Sequence, residues 1–248
     1  LMNSLEGRRG TPRVKPPFPA QAGYMMMPST VNNVETLSSV PFIIQEGAEA
    51  YRANGTEESP GTKLFCVSGH VRKPGNYELP LGFPLMELIN DVCGGLKEGR
   101  TLKGVIPGGS SVPILNAEEC ADCEMSFEGV IEAGSQLGCA AVIVMDDSTD
   151  IVQAVRRMVD FYTHESCGQC TPCREGSAWT GKILKRIEDG RGTEEDLHTL
   201  MEVTSQMEGT TICVLSDSVA APVQSSINKY REEYLARIRT GEKVGVSS

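Results

Sequence analysis

The chain has 248 residues, 40% of them hydrophobic, which is enough for one large domain or for smaller domains with buried cores. Its 33 acidic residues outnumber its 23 basic residues, and the net charge of -10 argues against nucleic acid or an anionic membrane surface as the principal partner. No apolar stretch approaches the roughly 20 residues of a membrane-spanning helix. Nine cysteines in a chain of this size favour a metal or redox role over a disulfide framework.

Residues 1–58 begin with a segment rich in proline and glycine. One short helical pattern follows from Val31 to Ile44, and Pro41 is expected to interrupt it. The segment starts with neither an initiating methionine nor an apolar signal core, and it is too short to form a core of its own. We therefore expect residues 1–58 to be the end of a domain that lies mostly upstream, in a longer protein.

Residues 59–147 carry short apolar runs that are typical of strands. Leu64–Val67 and Tyr77–Leu79 flank a turn that contains proline and glycine, which predicts a hairpin. A helical stripe follows at Phe83–Val92. Further strands are predicted at Val105–Ile106, Pro113–Leu115 and Ala140–Met145. These elements predict a compact α+β domain of the β-grasp kind.

Residues 148–248 show helical periodicity in four successive stripes joined by short loops, which predicts a four-helix bundle. The last stripe runs from Val219 to Ile238, and Pro222 is expected near the start of its helix. In an up-down-up-down bundle, the first and third loops lie at the same end. Residues of these two loops can therefore meet.

Three cysteines, Cys167, Cys170 and Cys173, occupy the first loop at a spacing of three residues. A [4Fe-4S] cluster needs one thiolate for each iron, and this spacing lets one loop wrap one face of the cluster. The residue four positions further on is a serine, so the fourth thiolate must come from elsewhere. Cys213, in the third loop, is the best candidate. Arg174 and the backbone N–H groups of the loop would offset the negative charge of the cluster.

Other interpretations of these thiols stay open. Structural zinc prefers separated cysteine pairs or mixed sets of cysteine and histidine, because its tetrahedral shell is small. A thioredoxin-like redox pair needs a βαβ context that the sequence does not provide. The thiols could also be inert, in a helical scaffold without metal.

The other five cysteines give weaker signals. Cys120 and Cys123 are flanked by acidic residues that raise thiol pKa values, so we expect a loop with two incidental cysteines. Cys66, Cys93 and Cys139 lie in apolar runs, and we expect all three to be buried in the core.

Five motifs, taken in order, give the chain a close resemblance to a known family. They are Asn3–Gly10, Lys15–Ala20, Thr30–Thr36, Glu165–Arg174 and Thr211–Cys213. Together they resemble the NADH-binding flavoprotein subunit of respiratory complex I, whose relatives include diaphorase subunits of NAD-linked hydrogenases and formate dehydrogenases. The resemblance covers the whole chain. It implies the tail of a Rossmann-like flavin domain at residues 1–58, a β-grasp domain (SLBB-like) at 59–147 and a four-helix bundle with one [4Fe-4S] cluster at 148–248.

The resemblance also implies site residues. The cluster ligands of the family fall on Cys167, Cys170, Cys173 and Cys213. Its FMN contacts fall on Val31, Asn32, Asn33 and Thr36, with Val214 and Leu215 as weaker candidates. The amides and the hydroxyl of the first set suit the polar edge of a flavin, although the motif taken alone favours a helix N-cap at one of the two asparagines. The glycine-rich FMN loop and the residues that orient NADH in the family lie upstream of this chain.

The implied function is electron transfer from NADH through FMN to the [4Fe-4S] cluster of a respiratory NADH:quinone oxidoreductase. No side chain of this chain is expected to act as an acid, base or nucleophile. The implied partners are a thioredoxin-like [2Fe-2S] subunit and a large iron–sulfur subunit, in a peripheral arm on the cytoplasmic or matrix side of a membrane. The alternatives are a diaphorase subunit of an NAD-linked hydrogenase or formate dehydrogenase, and a zinc-stabilised interaction module.

Overall fold

A computed structural model describes residues 1–240, so the end of the predicted helical domain, residues 241–248, lies outside the described residues. The first 53 residues contain helices and no strand. The helices are α1 (Met2–Leu5), a 3-10 turn (Tyr24–Met26), α2 (Val34–Glu46) and α3 (Ala48–Arg52). Pro41 lies inside α2 and does not interrupt it, so that expectation is wrong.

The next part of the chain forms a mixed sheet with short helices. Its elements are β1 (Thr62–Gly69), β2 (Gly75–Pro80), β3 (Phe83–Pro84), α4 (Leu85–Glu87), a π-helical turn (Leu88–Val92), β4 (Leu102–Ile106), β5 (Leu115–Asn116), α5 (Ala117–Cys120), β6 (Glu124–Met125), α6 (Phe127–Glu132) and β7 (Ala141–Asp146). Five strands are ordered β2-β1-β7-β4-β5, with β1 and β7 parallel and the other neighbours antiparallel. The hairpin β1–β2 is the predicted one. A sheet of this order, packed against a short helix, is compatible with a β-grasp unit.

Two of the three cysteines predicted to be in the core are exposed. Cys93 is buried, but Cys66 and Cys139 are not. Side chains alternate between the two faces of a strand, and in β1 the core face is taken by Phe65 and Val67. Cys66 lies between these two residues and therefore faces solvent. The apolar run around it did not show which face of the strand it occupies.

Residues 151–240 form five helices instead of the four predicted. They are α7 (Ile151–Glu165), α8 (Thr171–Glu188), α9 (Glu194–Met207), α10 (Leu215–Lys229) and α11 (Arg231–Thr240). Each of α7 to α10 packs against the next, and α10 returns to pack against α7. The last predicted stripe breaks at Tyr230, with φ -124 and ψ 32, and α11 then packs against α7 and α8. Pro222 is buried in the middle of α10, and not near its start as expected.

Buried side chains of the described residues form two cores. One lies within the strands β1 to β7 and their short helices, here called the sheet unit, and includes Phe65, Leu85 and Leu88. The other fills the space between the helices and continues into the sheet unit through four residues, Ile106, Val112, Ile114 and Met145. Burying an aliphatic side chain of this size contributes about 1.5–3 kcal/mol. The sheet unit and the helices are therefore packed together through a shared core.

Polar contacts add to this packing where α10 meets α11. Tyr230 Oη donates to the backbone oxygen of Lys103 at 2.9 Å. Lys229 Nζ donates to the backbone oxygen of Ile114 at 2.7 Å and pairs with Glu119 at 2.6 Å. The helical break at Tyr230 thus lies where the helices contact strands β4 and β5.

Candidate metal centre

The four predicted cluster ligands lie in two loops, each of which leads into a helix. Cys167 lies between α7 and α8, Cys170 is the N-cap of α8, and Cys173 lies in its first turn. Pro172 also stands at this helix start, where its missing N–H costs no hydrogen bond. Cys213 lies in the loop between α9 and α10, two residues before α10 begins.

The structure brings these two loops together. The backbone N–H of Ile212 donates to Cys170 Sγ at 3.5 Å, across 42 positions of sequence. Burial raises the pKa of the Cys173 thiol, a hydrogen bond with Ser166 lowers it, and negative charge on the other three cysteines raises it again. The contact between Ile212 and Cys170 therefore places the loop of Cys213 against the loop that carries the other three thiols.

The thiols do not form a ready-made site for one metal ion. Within residues 1–240, no group of three or more His, Cys, Asp or Glu is arranged so that it could hold a metal ion. Four thiolates on one zinc ion, with bonds of about 2.3 Å, would bring their sulfurs within about 4 Å of one another. In a four-iron cube each thiolate binds a different iron, so the sulfurs stand further apart. The donor set of four thiols matches the one thiolate for each iron that a [4Fe-4S] cluster needs.

The thiols gather at the N-termini of two long helices, α8 and α10. A helix N-terminus presents unpaired N–H groups and the positive end of the helix dipole, and both favour negative charge. A cluster with four thiolate ligands is anionic. The two helix starts would therefore offset part of the negative charge of a bound cluster.

Two arginines contact the loop that carries the first three cysteines. Arg174 Nη1 donates to the backbone oxygen of Gly168 at 2.7 Å and pairs with Glu175 at 2.9 Å, so its charge is partly neutralised. Arg9 Nη2 donates to the backbone oxygen of Cys167 at 2.6 Å. Arg9 could not be predicted as a site residue, because nothing in its motif indicates a contact 158 positions away.

The predicted FMN contacts lie at the exposed start of α2. Asn33 caps this helix, its side-chain oxygen accepting from the backbone N–H of Thr36 at 2.9 Å, and Val31 and Asn32 precede it in extended, exposed chain. Glu35, in the same motif, accepts from the backbone N–H of Leu64 at 2.9 Å. The contacts of this motif therefore run to β1 and not to the thiols.

The weaker FMN candidate Val214 is 74% exposed beside Cys213. Leu215, the other weaker candidate, begins α10 and packs partly against the helical core. Cys213 and Val214 line a surface cavity together with Pro17 and Pro19 of the N-terminal segment. The structure thus places the proline-rich segment next to the loop of the fourth thiol.

Comparisons with known proteins decide the family. The NADH-ubiquinone oxidoreductase-F iron-sulfur binding region matches residues 153–237, and the SLBB domain matches residues 63–152. The NADH-quinone oxidoreductase-F protein of Mycobacterium tuberculosis is 51% identical over 241 residues, which cover 97% of this chain and 54% of the relative. The mitochondrial NADH-ubiquinone oxidoreductase 51 kDa subunit of Neurospora crassa is 51% identical over 240 residues, which cover 96% and 49%.

The chain belongs to the NADH-quinone oxidoreductase-F family. It spans about half the length of the curated relatives that it matches. Among solved structures, an NAD+-reducing [NiFe]-hydrogenase in the H2-reduced state matches with a TM-score of 0.87 and 36% identity, over 98% of this chain and 40% of that chain. Among residues 1–240, no helix has the length and apolar content needed to cross a membrane.

The second pair of cysteines, Cys120 and Cys123, is buried. Burial raises the pKa of Cys120 to about 12, and the charges of Cys123 and Glu119 add to this effect. Burial also raises the pKa of Cys123 to about 11, with a further contribution from Glu124. The predicted direction is confirmed, but burial is the largest cause. A reactive thiol needs a lowered pKa, so Cys120 and Cys123 are poor nucleophiles.

Proposed function

We propose that the chain is the cluster-carrying part of an NADH-oxidising electron-transfer subunit. Cys167, Cys170, Cys173 and Cys213 would bind one [4Fe-4S] cluster, which when bound accepts and passes on one electron at a time. The observation that carries this proposal is the contact between the two cysteine loops, in which the backbone N–H of Ile212 donates to Cys170 Sγ at 3.5 Å beside the N-termini of α8 and α10. Membership of the NADH-quinone oxidoreductase-F family supports NADH as the electron donor.

The residues around the thiols would stabilise them as thiolates. The N–H of Ile212 donates to Cys170, and Ser166 hydrogen-bonds to Cys173. Hydrogen bonds to ligating sulfurs orient them and tune the metal. Cys173 is only 7% exposed, whereas Cys213 is exposed, so the site is closed on the side of α8 and open beside Val214.

Part of the FMN site would lie at the start of α2. Asn33 uses its side-chain oxygen for the helix cap, and its amide N–H2 is the part that can donate to a ligand. Val31, Asn32 and Thr36 are exposed beside it. The rest of the flavin site and the NADH site would belong to the longer protein.

We propose the same three domains as the sequence predicts: the end of a flavin domain at 1–58, a β-grasp domain at 59–147 and a helical cluster domain at 148–248. The order of the two matched family regions supports this division. The helical domain would have a four-helix bundle, α7 to α10, with α11 added across it.

The parent assembly would be a respiratory NADH:quinone oxidoreductase, in its peripheral arm on the cytoplasmic or matrix side. Its neighbours there would be a thioredoxin-like [2Fe-2S] subunit and a large iron–sulfur subunit. A diaphorase subunit of an NAD-linked hydrogenase is the second candidate, which the similarity to an NAD+-reducing hydrogenase supports. The relatives from NADH-quinone oxidoreductases are more similar in sequence, at 51% identity against 36%.

Metal analysis of the anaerobically purified full-length subunit tests the cluster. We expect about four iron and four acid-labile sulfide atoms per chain. Cys213→Ser should lose most of them, because the fourth iron loses its thiolate. Cys66→Ser makes the same chemical change at an exposed thiol of β1 and should keep them all. One zinc per chain in a colourless wild-type protein, or full iron in Cys213→Ser, would contradict the proposal.

A further inference from the structure

We infer that Arg9 is a positioning residue for the loop that carries the first three cysteines, and that its charge raises the reduction potential of the cluster. This inference rests on the proposed function. Its basis is the donation from Arg9 Nη2 to the backbone oxygen of Cys167 at 2.6 Å. A charge-assisted hydrogen bond of this length fixes the carbonyl next to the first thiol.

Arg9 projects from a segment that is cross-linked by its own side chains. The carboxylate of Glu6, only 2% exposed, pairs with Arg13 at 2.9 Å and with Arg8 at 3.0 Å. It also accepts from the backbone N–H of Met25 at 2.8 Å, and Arg13 donates to Asn3 Oδ1 at 2.6 Å. These contacts hold the segment in one conformation. Less conformational entropy is therefore lost when the long side chain of Arg9 binds the cysteine loop.

An ion pair partly neutralises the charge of Arg174, but the charge of Arg9 has no such ion pair among residues 1–240. Arg174 is paired with Glu175, whereas none of the ion pairs among residues 1–240 includes Arg9. Both arginines line the same surface cavity as Cys167. Arg9 is therefore the unpaired positive charge beside the cysteine loop.

A positive charge at this place favours the reduced cluster. Reduction adds one negative charge to the site, and its attraction to a nearby guanidinium lowers the free energy of the reduced form. Hydrogen bonds, charge and solvent exposure are the means by which a protein sets the potential of such a cluster. Arg9 thus links the N-terminal segment, which leads into the proposed FMN contacts, to the potential of the electron acceptor.

A redox titration followed by EPR, on the full-length subunit, tests the inference. We expect Arg9→Gln to shift the reduction equilibrium about threefold toward the oxidised form, which is roughly 30 mV, since tenfold is 59 mV for one electron. Arg9→Lys keeps the charge but loses the planar fork, so its potential should lie between those of wild type and Arg9→Gln. Arg8→Gln removes the same charge one residue away, where it is paired with Glu6, and should leave the potential unchanged.

The outcomes separate this inference from the function on which it rests. A wild-type protein without iron and sulfide would overturn the proposed function. An Arg9→Gln variant with full iron and the wild-type potential would overturn the role of Arg9 alone, as would an equal shift in Arg8→Gln. If Arg9→Gln binds too little iron to titrate, Arg9→Met, which is also neutral, takes its place: a lowered potential supports the inference and the wild-type potential overturns it.

Discussion

Glu128 ties the segment that enters the sheet unit to helix α6. Its carboxylate accepts hydrogen bonds from the hydroxyls of Thr56 and Ser59, which lie on either side of a tight turn. Burial raises the pKa of Glu128, but the hydrogen bonds from Ser59 and Thr56 outweigh it and lower the pKa to about 2. Because this folded-state pKa lies below the ordinary value of 4.5, ionised Glu128 stabilises the fold. That contribution is complete above pH 4.5 and is lost as the pH falls toward 2.

We predict that Glu128→Gln lowers the free energy of unfolding by about 1 kcal/mol at pH 7, a modest loss because the side chain is only half-buried. The difference from wild type should shrink between about pH 5 and pH 2. Urea unfolding at several pH values measures both effects. Glu132→Gln, at an exposed position of the same helix, should change little. A Glu128→Gln effect that is independent of pH would show that the carboxylate charge is not involved.

The roles of individual residues could be predicted from the sequence where they depend on neighbouring positions in the chain. The spacing of Cys167, Cys170 and Cys173 is visible in the sequence, and so is the N-cap at Asn33. The contact of Arg9 with Cys167 and the exposure of Cys66 could not be predicted in this way. The first depends on tertiary packing across 158 positions, and the second on the face that a strand turns to the core.

Gly104 allows the break between α10 and α11 to contact strand β4. The register of β4 against β7 shifts between Leu102 and Gly104. A Cβ at Gly104 would lie 2.3 Å from Tyr230 Oη and 2.6 Å from the backbone oxygen of Leu115. The close approach of Tyr230 to the strand therefore requires glycine at this position.

We predict that Gly104→Ala lowers the free energy of unfolding by about 1–3 kcal/mol, because the methyl group must displace Tyr230 or the neighbouring strand. Chemical denaturation measures the change. Gly75→Ala is the matched control on β2, since a Cβ there would have no neighbour nearer than 3.5 Å, and we expect it to be nearly neutral. Equal stability of the two variants would contradict a close contact at Gly104.

The ends of helices and strands could be predicted where the apolar periodicity stops at a capping residue or at a turn. Helix α9 begins at a capping box of Thr193 and Asp196, two residues close together in sequence, and the hairpin β1–β2 turns at the predicted proline and glycine. The break at Tyr230 was not predictable, because the apolar spacing continues through it. At this break Tyr230 contacts a strand residue 127 positions earlier, which helical periodicity does not show.

The whole molecule is joined by the core that the sheet unit and the helices share. Ile114 is fully buried in this core, although it lies just before a strand of the sheet unit. The sequence predicted a strand-rich zone followed by a helical one, and the structure has this order. The shared core could not be predicted, because periodicity shows which face of an element is apolar but not which partner covers it.

We predict that the sheet unit and the helices unfold in one transition. Fluorescence of Trp179, the only tryptophan, reports on α8, and labelling of the buried thiols Cys120 and Cys123 reports on the sheet unit. Ile114→Ala should lower the free energy of unfolding by about 2–5 kcal/mol with either probe, and the unfolding midpoints from the two probes should coincide. Ile131→Ala, at a residue that is 64% exposed, is the control and should shift neither probe. A shift of the thiol probe alone would show that the two units unfold independently.

The most direct test of the proposed relay is the low-temperature EPR spectrum of the full-length subunit, with bound FMN, after addition of NADH. We predict the signal of a reduced [4Fe-4S] cluster in wild type and in Cys66→Ser. Cys213→Ser should lack this signal at an equal FMN content, because its cluster site has lost one of four thiolates. A signal of wild-type size in Cys213→Ser, or no cluster signal from a wild-type subunit with its FMN reduced, would contradict the proposal.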